Sequence, residues 1–280
     1  MKRVIASLLI MLLIFGMTAC SQTGAGGPGP GAVKGGSTAG DDSAGTDMGQ
    51  DSVSGQDTDT ALLVKVMDKD GGSFFAASME DGANGADVYM INAEKIKLFD
   101  KNGGSADIGE LKTGMLVDIY YDGTVMESFP MQLGGIKHIQ IREEGDDIAG
   151  LYMQVIKDLY KVDPGLNSDI ERLAFNLNDV TNLTETEKTA FVHMAGNEFG
   201  LETLRGTFEE LREQGYIAKD LLVFETGLLI SIKVRTEEKD SFVFDATKWR
   251  GGDGAYYFLD CTAKKGKDGW SYTIGGEAIS

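Results

Sequence analysis

Residues 228–235 read LLISIKVR, and the pattern of their side chains decides how the C-terminal half of the chain folds. Leu228, Ile230 and Ile232 fall on one side of an extended chain, because successive side chains of a strand point to opposite faces. The intervening positions end in Lys233 and Arg235. One buried and one solvated face are typical of an antiparallel sheet. The stretch therefore predicts a long strand whose apolar face packs against another layer.

Three more strands are predicted after this one. They are SFVFDATKW at 241–249, AYYFLDCTA at 255–263 and WSYTI at 270–274, which are rich in aromatic and β-branched residues and separated by glycine-containing turns. Cys261 alternates with Leu259 and Ala263 on the face that we expect to be buried, which predicts a core cysteine and not a catalytic thiol.

Helices are predicted ahead of these strands. Residues 148–160 carry apolar side chains at helical spacing, and the Asp-Pro-Gly sequence at 163–165 ends that pattern. Capping-box spacing at 184–187 and at 207–210 predicts the start of two further helices. A short strand is expected at 173–177.

Helices followed by strands favour an α+β domain over residues 146–280, with the helices packed on one face of an antiparallel sheet. An NTF2-like or cystatin-like arrangement fits this order of elements by analogy.

Residues 61–145 are expected to form a separate, all-β domain. Turn sequences at 70–72, 102–103 and 122–123 divide the segment into short runs rich in β-formers. Five or six strands within about 80 residues favour a small closed barrel, because closure leaves no unpaired sheet edge. The fold class predicted for the whole chain is thus mainly β plus α+β.

Two stretches of the chain resemble parts of known bacterial proteins. The runs ELKTGMLVDIYYDGTVMESFP (110–130) and GIKHIQI (135–141) resemble the OB-like domains of extracytoplasmic lipoproteins from Gram-positive, Clostridia-like bacteria. This resemblance implies an OB-like fold and a location outside the cytoplasm, but no activity. The run FDATKWRGGDGAYYFLDCTA (244–263) resembles the C-terminal region of uncharacterised secreted proteins, and it implies no activity either.

The N-terminus has the features of an export signal. Lys2 and Arg3 precede an uncharged apolar run at 4–17, which is too short to span a hydrocarbon core of about 30 Å as a helix. The sequence Met-Thr-Ala-Cys at 17–20 then resembles a bacterial lipobox, which implies a lipoprotein signal peptide over residues 1–20 and a lipid on Cys20. The alternatives are a cleaved secretory signal with an incidental cysteine and an uncleaved anchor.

Residues 21–60 have the composition of a tether. The segment is dominated by Gly, Ser, Thr, Asp and Ala and has no large apolar residue before Val53 except Met48 and Val33. Such a chain buries too little apolar surface to offset the entropy cost of ordering, so we expect it to be disordered. A membrane anchor and a tether would hold the folded part on the extracytoplasmic side of the cell membrane.

Composition excludes several classes of function. The formal net charge of −18 argues against a nucleic-acid partner, because phosphate binding needs clustered Lys and Arg. With two cysteines and two histidines in the whole chain, neither a disulfide framework nor a thiolate or histidine metal site is expected. No cofactor is predicted.

The densest group of interacting side-chain types lies in DATKWRGGDG at 245–254. Lys248 and Arg250 are suited to a ligand carboxylate or phosphate, with Trp249 stacking beside them. Two carboxylates flank this group, Asp245 and Asp253. The alternative is a strand end where the indole fills the core and the charges pair at the rim.

Aromatic residues of the first domain form the other candidate surface. Tyr120, Tyr121 and Phe129 are suited to stacking on a sugar, although the same residues also serve as barrel core or cross-strand pairs.

These observations favour a lipid-anchored extracytoplasmic binding or interaction protein, with a cell-wall component or a protein as its ligand. The sequence shows no nucleophile or base motif, so an enzyme is the less favoured hypothesis. An extracytoplasmic enzyme that uses carboxylates, wall-modifying or foldase-like, is nevertheless one alternative. A purely structural spacer in the cell envelope is another.

Overall fold

A computed structural model describes residues 60–83 and 86–280, which are mainly β-strand with few helices, as predicted. The predicted signal peptide, the lipobox with Cys20, and the tether up to residue 59 lie outside the described residues. Within the described ranges, no helix is both long and apolar enough to cross a bilayer.

Residues 60–143 form a curved sheet and a small separate hairpin. In chain order their strands are β1 (Thr60–Asp70), β2 (Ser73–Ser78), β3 (Val88–Asn92), β4 (Lys97–Phe99), β5 (Ser105–Ala106), β6 (Leu116–Tyr121), β7 (Val125–Met126), β8 (Gln132–Leu133) and β9 (His138–Glu143). The order across the sheet is β3-β2-β1-β6-β9-β4-β5, and β7 pairs with β8 alone. All neighbours in the sheet are antiparallel except β4 and β9, which are parallel.

The inner face of this sheet has its own hydrophobic core. Val64 of β1, Val117 of β6 and Ile139 of β9 are fully buried there. The glycine turn predicted at 70–72 is confirmed, because Asp70 pairs with Ser73 across a two-residue loop. Gly71 in this loop has a φ of +56°, a conformation that favours glycine.

Residues 148–279 form three α-helices and a second sheet. The elements are α1 (Ile148–Lys161), β10 (Arg172–Asn176), α2 (Glu185–Phe199), β11 (Glu202–Arg205), α3 (Phe208–Glu213), β12 (Gly227–Glu238), β13 (Ser241–Gly251), β14 (Gly254–Gly266), β15 (Gly269–Thr273) and β16 (Gly276–Ile279). The order across the sheet is β11-β10-β12-β13-β14-β15, and β16 also pairs with β14.

Local signals in the sequence placed these elements well. The predicted helix at 148–160 and the strand at 173–177 are both confirmed within a residue. Both capping boxes form, since Thr184 and Thr207 accept backbone N–H groups of the first helical turn while Glu187 and Glu210 reach back to them.

The second sheet is mixed, which corrects the prediction of an antiparallel sheet with helices on one face. Strand β10 is parallel to both β11 and β12. The chain leaves β10 for the outer position at β11 and then returns past β10 to β12. The connection from β10 to β11 contains α2 and moves outward across the sheet, whereas the connection from β11 to β12 contains α3 and moves back. If both connections are right-handed, they pass over opposite faces of the sheet. Accordingly, α2 packs with Leu173 and Phe175, whereas α3 packs with Ala174 on the other side.

Strand β2 connects the two halves of the described chain, because both of its faces are apolar and buried. Phe74 and Ala76 point into the core of the first sheet. Phe75 and Ala77 point outward and belong instead to the main core, together with α1, α2 and the second sheet. The two helices are therefore packed between the two sheets.

Polar contacts at the start of α2 reinforce this interface. The hydroxyl of Thr186 donates to the backbone oxygen of Ser78 at 2.8 Å, and Nζ of Lys65 lies 2.6 Å from Oε1 of Glu187. The Glu187 side chain is only 3% exposed, so this ion pair is largely removed from water. Removing one partner of a buried ion pair is costly because the other charge is left unpaired.

We therefore predict that Glu187→Ala lowers the free energy of unfolding by about 3 kcal/mol. Glu210→Ala is the matched control, since Glu210 occupies the same position in the capping box of α3 but is exposed and has no lysine partner there. Urea unfolding of both variants should show a much larger loss for Glu187→Ala. Equal losses would mean that the pair with Lys65 adds nothing to the interface.

Candidate functional site

A cleft lies where the first sheet passes into α1. We name it the junction cleft, and its volume is about 1040 Å³. Three segments line it: the loop 112–115 before β6, the connection and first turns of α1 at 144–154, and the β14–β15 hairpin at 265–272. The cleft is open to solvent along one side.

Two glycines bring the first two segments into contact. Gly114 has a φ of +85°, and a side chain there would meet the backbone nitrogen of Asp147 at 2.7 Å. A side chain at Gly145 would lie 2.0 Å from the backbone oxygen of Gly114. The loop before β6 thus lies directly against the connection to α1, as only glycine permits at both positions.

Asp147 fixes the start of α1 at this wall of the cleft. Its Oδ1 accepts the backbone N–H of Gly150 at 2.8 Å, which caps the helix. Its Oδ2 accepts the hydroxyl of Thr113 at 2.6 Å, so the same carboxylate also holds the loop before β6.

The opposite wall is the β14–β15 hairpin, which turns through Lys267 and Asp268. The ammonium of Lys265 pairs with the carboxylate of Asp146 across the cleft. The hydrogen bond to Asp146 is the main reason that the pKa of Lys265 is raised. The two walls are therefore joined by one ion pair at the solvent-exposed edge.

Two aromatic side chains of β15 lie along the cleft. The ring of Trp270 packs on Phe242 with 5.3 Å between centroids, and its indole N–H is enclosed without an acceptor among the described residues. The hydroxyl of Tyr272 donates to Oδ2 of Asp158 at 2.9 Å. Burial, together with that bond, raises the pKa of Tyr272 far above its usual range.

Neighbouring hydrogen-bond donors favour the ionised form of the Asp158 carboxyl group. Burial alone would raise the pKa of its carboxyl group, but hydrogen bonds from Gln154, Lys161 and Tyr272 outweigh burial and lower it. Gln154 and Tyr272 also line the cleft, so Asp158 orients two of the lining side chains from behind.

A smaller groove of about 240 Å³ adjoins the junction cleft on the side of α2. Thr113, Asp147, Gly150 and Gln154 line both spaces. Its remaining lining comes from β1, α1 and α2 and includes Met67, Asp68, Met153, Lys157, Met194 and Glu198. The N-terminal half of α1 is thus accessible from two sides.

Comparison of the chain with protein-family models, with curated proteins and with solved structures yields no match in any of the three.

The residues predicted from DATKWRGGDG do not converge on one cavity. Lys248 is fully buried on the face of β13 that packs against α1. Asp245 and Trp249 point to the opposite face, because they are one residue out of phase with it. Asp253 is exposed in the turn between β13 and β14. Tyr121 belongs to the first sheet and is 7% exposed in its core.

The two cations of that group hold the segment that follows α1. Nζ of Lys248 donates to the backbone oxygens of Val162 and Asp163 at 2.5 and 3.2 Å and to the side chain of Asn167. Burial lowers the pKa of Lys248 to about 8. A ligand carboxylate could bind the Lys248 ammonium group only by displacing these three acceptors. The predicted binding role of Lys248 therefore stays a prediction.

Arg250 is engaged in the same way. Its guanidinium donates to the backbone oxygens of Leu166, Ser168 and Glu225 at 2.9, 2.6 and 2.8 Å. Trp249 meets Phe208 of α3 edge to face, at 5.1 Å between centroids. Both arrangements fix the chain around β13, and neither opens into the junction cleft.

Asp245 stabilises an irregular part of the sheet. It accepts from Arg235 at 2.6 Å and from the backbone N–H of Asp260 at 2.9 Å. Asp260 has a positive φ of 49° at a register shift between β13 and β14, a conformation that is uncommon for a residue with a side chain. Arg235 also pairs with Asp260, so three charged groups hold this bulge.

Cys261 is fully buried as predicted. Burial raises the pKa of its thiol to about 12, so the thiolate form that nucleophilic chemistry needs is disfavoured.

The lining residues of the junction cleft were not identified from the sequence. One wall contains residues of the acidic run at 143–147, and the other contains residues of the lysine-rich run KKGKDG at 264–269. The available signal was their opposite charge, which is expressed only once folding places the two runs side by side.

Proposed function

We propose that the chain is a lipid-anchored extracytoplasmic binding protein and that its ligand lies in the junction cleft. The observation that carries this proposal is the cleft itself, a concave site of about 1040 Å³ into which charged, amide and aromatic side chains converge. Ligand sites are typically concave, with a small number of placed polar groups.

The strand order of the first sheet supports the finer proposal that residues 61–145 form an OB-like barrel. Strand β1 lies between β2 and β6, and β9 pairs with β6 in an antiparallel and with β4 in a parallel manner. If β3 and β4 count as one interrupted strand, that strand pairs with β2 at one end of the sheet order and with β9 at the other. The five strands β1, β2, β3/β4, β6 and β9 then form a closed arrangement. OB folds are five-stranded, partly open barrels.

The membrane anchor rests on the sequence around Cys20. In this proposal Cys20 carries a diacylglyceryl group, and two acyl chains hold a protein firmly where one chain binds marginally. An anchor of this kind suits a chain with a net charge of −18, which electrostatics alone would keep away from an anionic membrane.

We predict that Cys20→Ser moves the protein from the membrane fraction to the soluble extracytoplasmic fraction of a Gram-positive host. The measurement is fractionation followed by immunodetection, with Cys261→Ser as the matched control that should stay with the membrane. Persistence of Cys20→Ser in the membrane fraction would contradict lipid anchoring at this residue.

Ligand binding in the cleft is tested by thermal unfolding of the full-length Cys20→Ser chain with saccharides, peptides, nucleotides and divalent cations. A ligand at 100 times its Kd stabilises the folded state by about 2.7 kcal/mol, which raises Tm measurably. Gln154→Trp should abolish the increase because Gln154 is exposed and lines the cleft, where an indole would fill the space.

Thr273→Trp is the control for that experiment. Thr273 is exposed on β15 but is not part of the cleft lining, so the increase in Tm should persist. No increase with any class of probe would overturn the binding role and favour a structural spacer or a protein partner.

A further inference from the structure

We infer that the ligand of the junction cleft is an uncharged oligosaccharide that stacks on Trp270. This inference rests on the proposed binding function and adds to it the chemical class of the ligand. It is carried by three properties of the lining: balanced charge, one uncommitted aromatic ring, and uncommitted hydrogen-bonding groups.

Charged groups of both signs line the cleft. The charged lining residues are three lysines and four carboxylates, namely Lys112, Lys265, Lys267, Glu144, Asp146, Asp147 and Asp268. A ligand of either sign would therefore meet repulsive groups as well as attractive ones. Hydroxyl groups avoid this conflict because each both donates to a carboxylate and accepts from an ammonium group.

Trp270 is the aromatic side chain that is available to such a ligand. Tyr272 is committed through its hydroxyl to Asp158, whereas Trp270 is held only by packing against Phe242. The ring of Trp270 is half-buried, so part of it lines the cleft. The indole ring offers a large apolar face, which suits the C–H face of a sugar ring.

The unpartnered indole N–H of Trp270 sets this position apart from the other aromatic residues of the core. Buried donors without an acceptor are rare in native structures, and such a group calls for a functional or structural reason.

Hydrogen-bonding groups with free capacity flank this ring. Gln154 is exposed and uses its amide nitrogen on Asp158, which leaves its amide oxygen as an acceptor. Lys267 is exposed in the turn between β14 and β15 and lines the cleft as well. The cleft volume of about 1040 Å³ lies just above the range of about 300–1000 Å³ that is typical of ligand sites, so it suits several linked sugar rings better than one.

The test compares three trisaccharides that share a pyranose backbone and differ in charge. They are the N-acetylglucosamine trimer (neutral), the glucosamine trimer (cationic) and the galacturonic acid trimer (anionic), each titrated calorimetrically into the full-length Cys20→Ser chain. We expect the neutral trimer to bind with a Kd below about 1 mM, and at least tenfold more tightly than either charged trimer.

Two variants locate the binding. Trp270→Leu should weaken binding of the neutral trimer at least tenfold, and Gln154→Ala, at an exposed position that is not expected to affect folding, should weaken it several-fold. Phe129→Leu is the matched control, because Phe129 is an aromatic residue 58% exposed on the β7–β8 hairpin and outside the cleft. It should leave the affinity unchanged.

A site-specific signal is also available, because the chain has two tryptophans. In a Trp249→Phe background, the fluorescence of Trp270 alone should shift when the neutral trimer binds.

The outcomes separate the inference from the proposed function. Tight binding of a charged trimer that Trp270→Leu abolishes would overturn the inference about ligand class and leave the cleft as the binding site. Neutral-trimer binding that neither cleft variant weakens would overturn the placement of the ligand. Binding of no trimer, while a peptide or nucleotide raises Tm in a manner that Gln154→Trp abolishes, would overturn the saccharide inference alone.

Discussion

The burial of the outer face of β2 is the constraint on which the rest of the structure depends. Phe75 and Ala77 point away from the core of their own sheet, and water would contact them if nothing covered that face. Helix α2 packs on this face, and α1 and the second sheet complete the same core. Each large apolar side chain so buried contributes about 1.5–3 kcal/mol, and the same residues hold both sheets to one core.

The position of the candidate site follows from this arrangement. The chain has to pass from β9 of the first sheet into α1, and the passage is narrow because Gly114 and Gly145 allow close backbone contact. The β14–β15 hairpin extends past the start of α1 on the other side, and Lys265 pairs there with Asp146. The junction cleft is the space left among these three segments, so its shape depends on how both sheets pack on α1.

Much of the fold was predictable because it is encoded locally. Alternation at 228–235, capping boxes at Thr184 and Thr207, and glycine turns are properties of a few neighbouring residues. Alternation within β13 carries a further signal, because Lys248 is in phase with Phe242 and Phe244 and therefore lies on the buried face of that strand. What periodicity does not encode is which strands pair. The parallel pairing of β10 and the position of α3 on the opposite face were accordingly missed. The cleft was missed for a related reason, because its walls lie more than 100 residues apart in sequence.

The central claim, that β2 and the two helices make one folded body of both sheets, is tested most directly by urea unfolding followed with two probes. Both tryptophans, Trp249 and Trp270, lie in the second sheet, whereas far-ultraviolet circular dichroism reports the strands of both sheets. The account predicts coincident transitions with one midpoint, because losing either sheet exposes the shared core. A circular-dichroism transition that begins before the tryptophan signal changes would show that residues 60–143 unfold on their own, and it would contradict the claim.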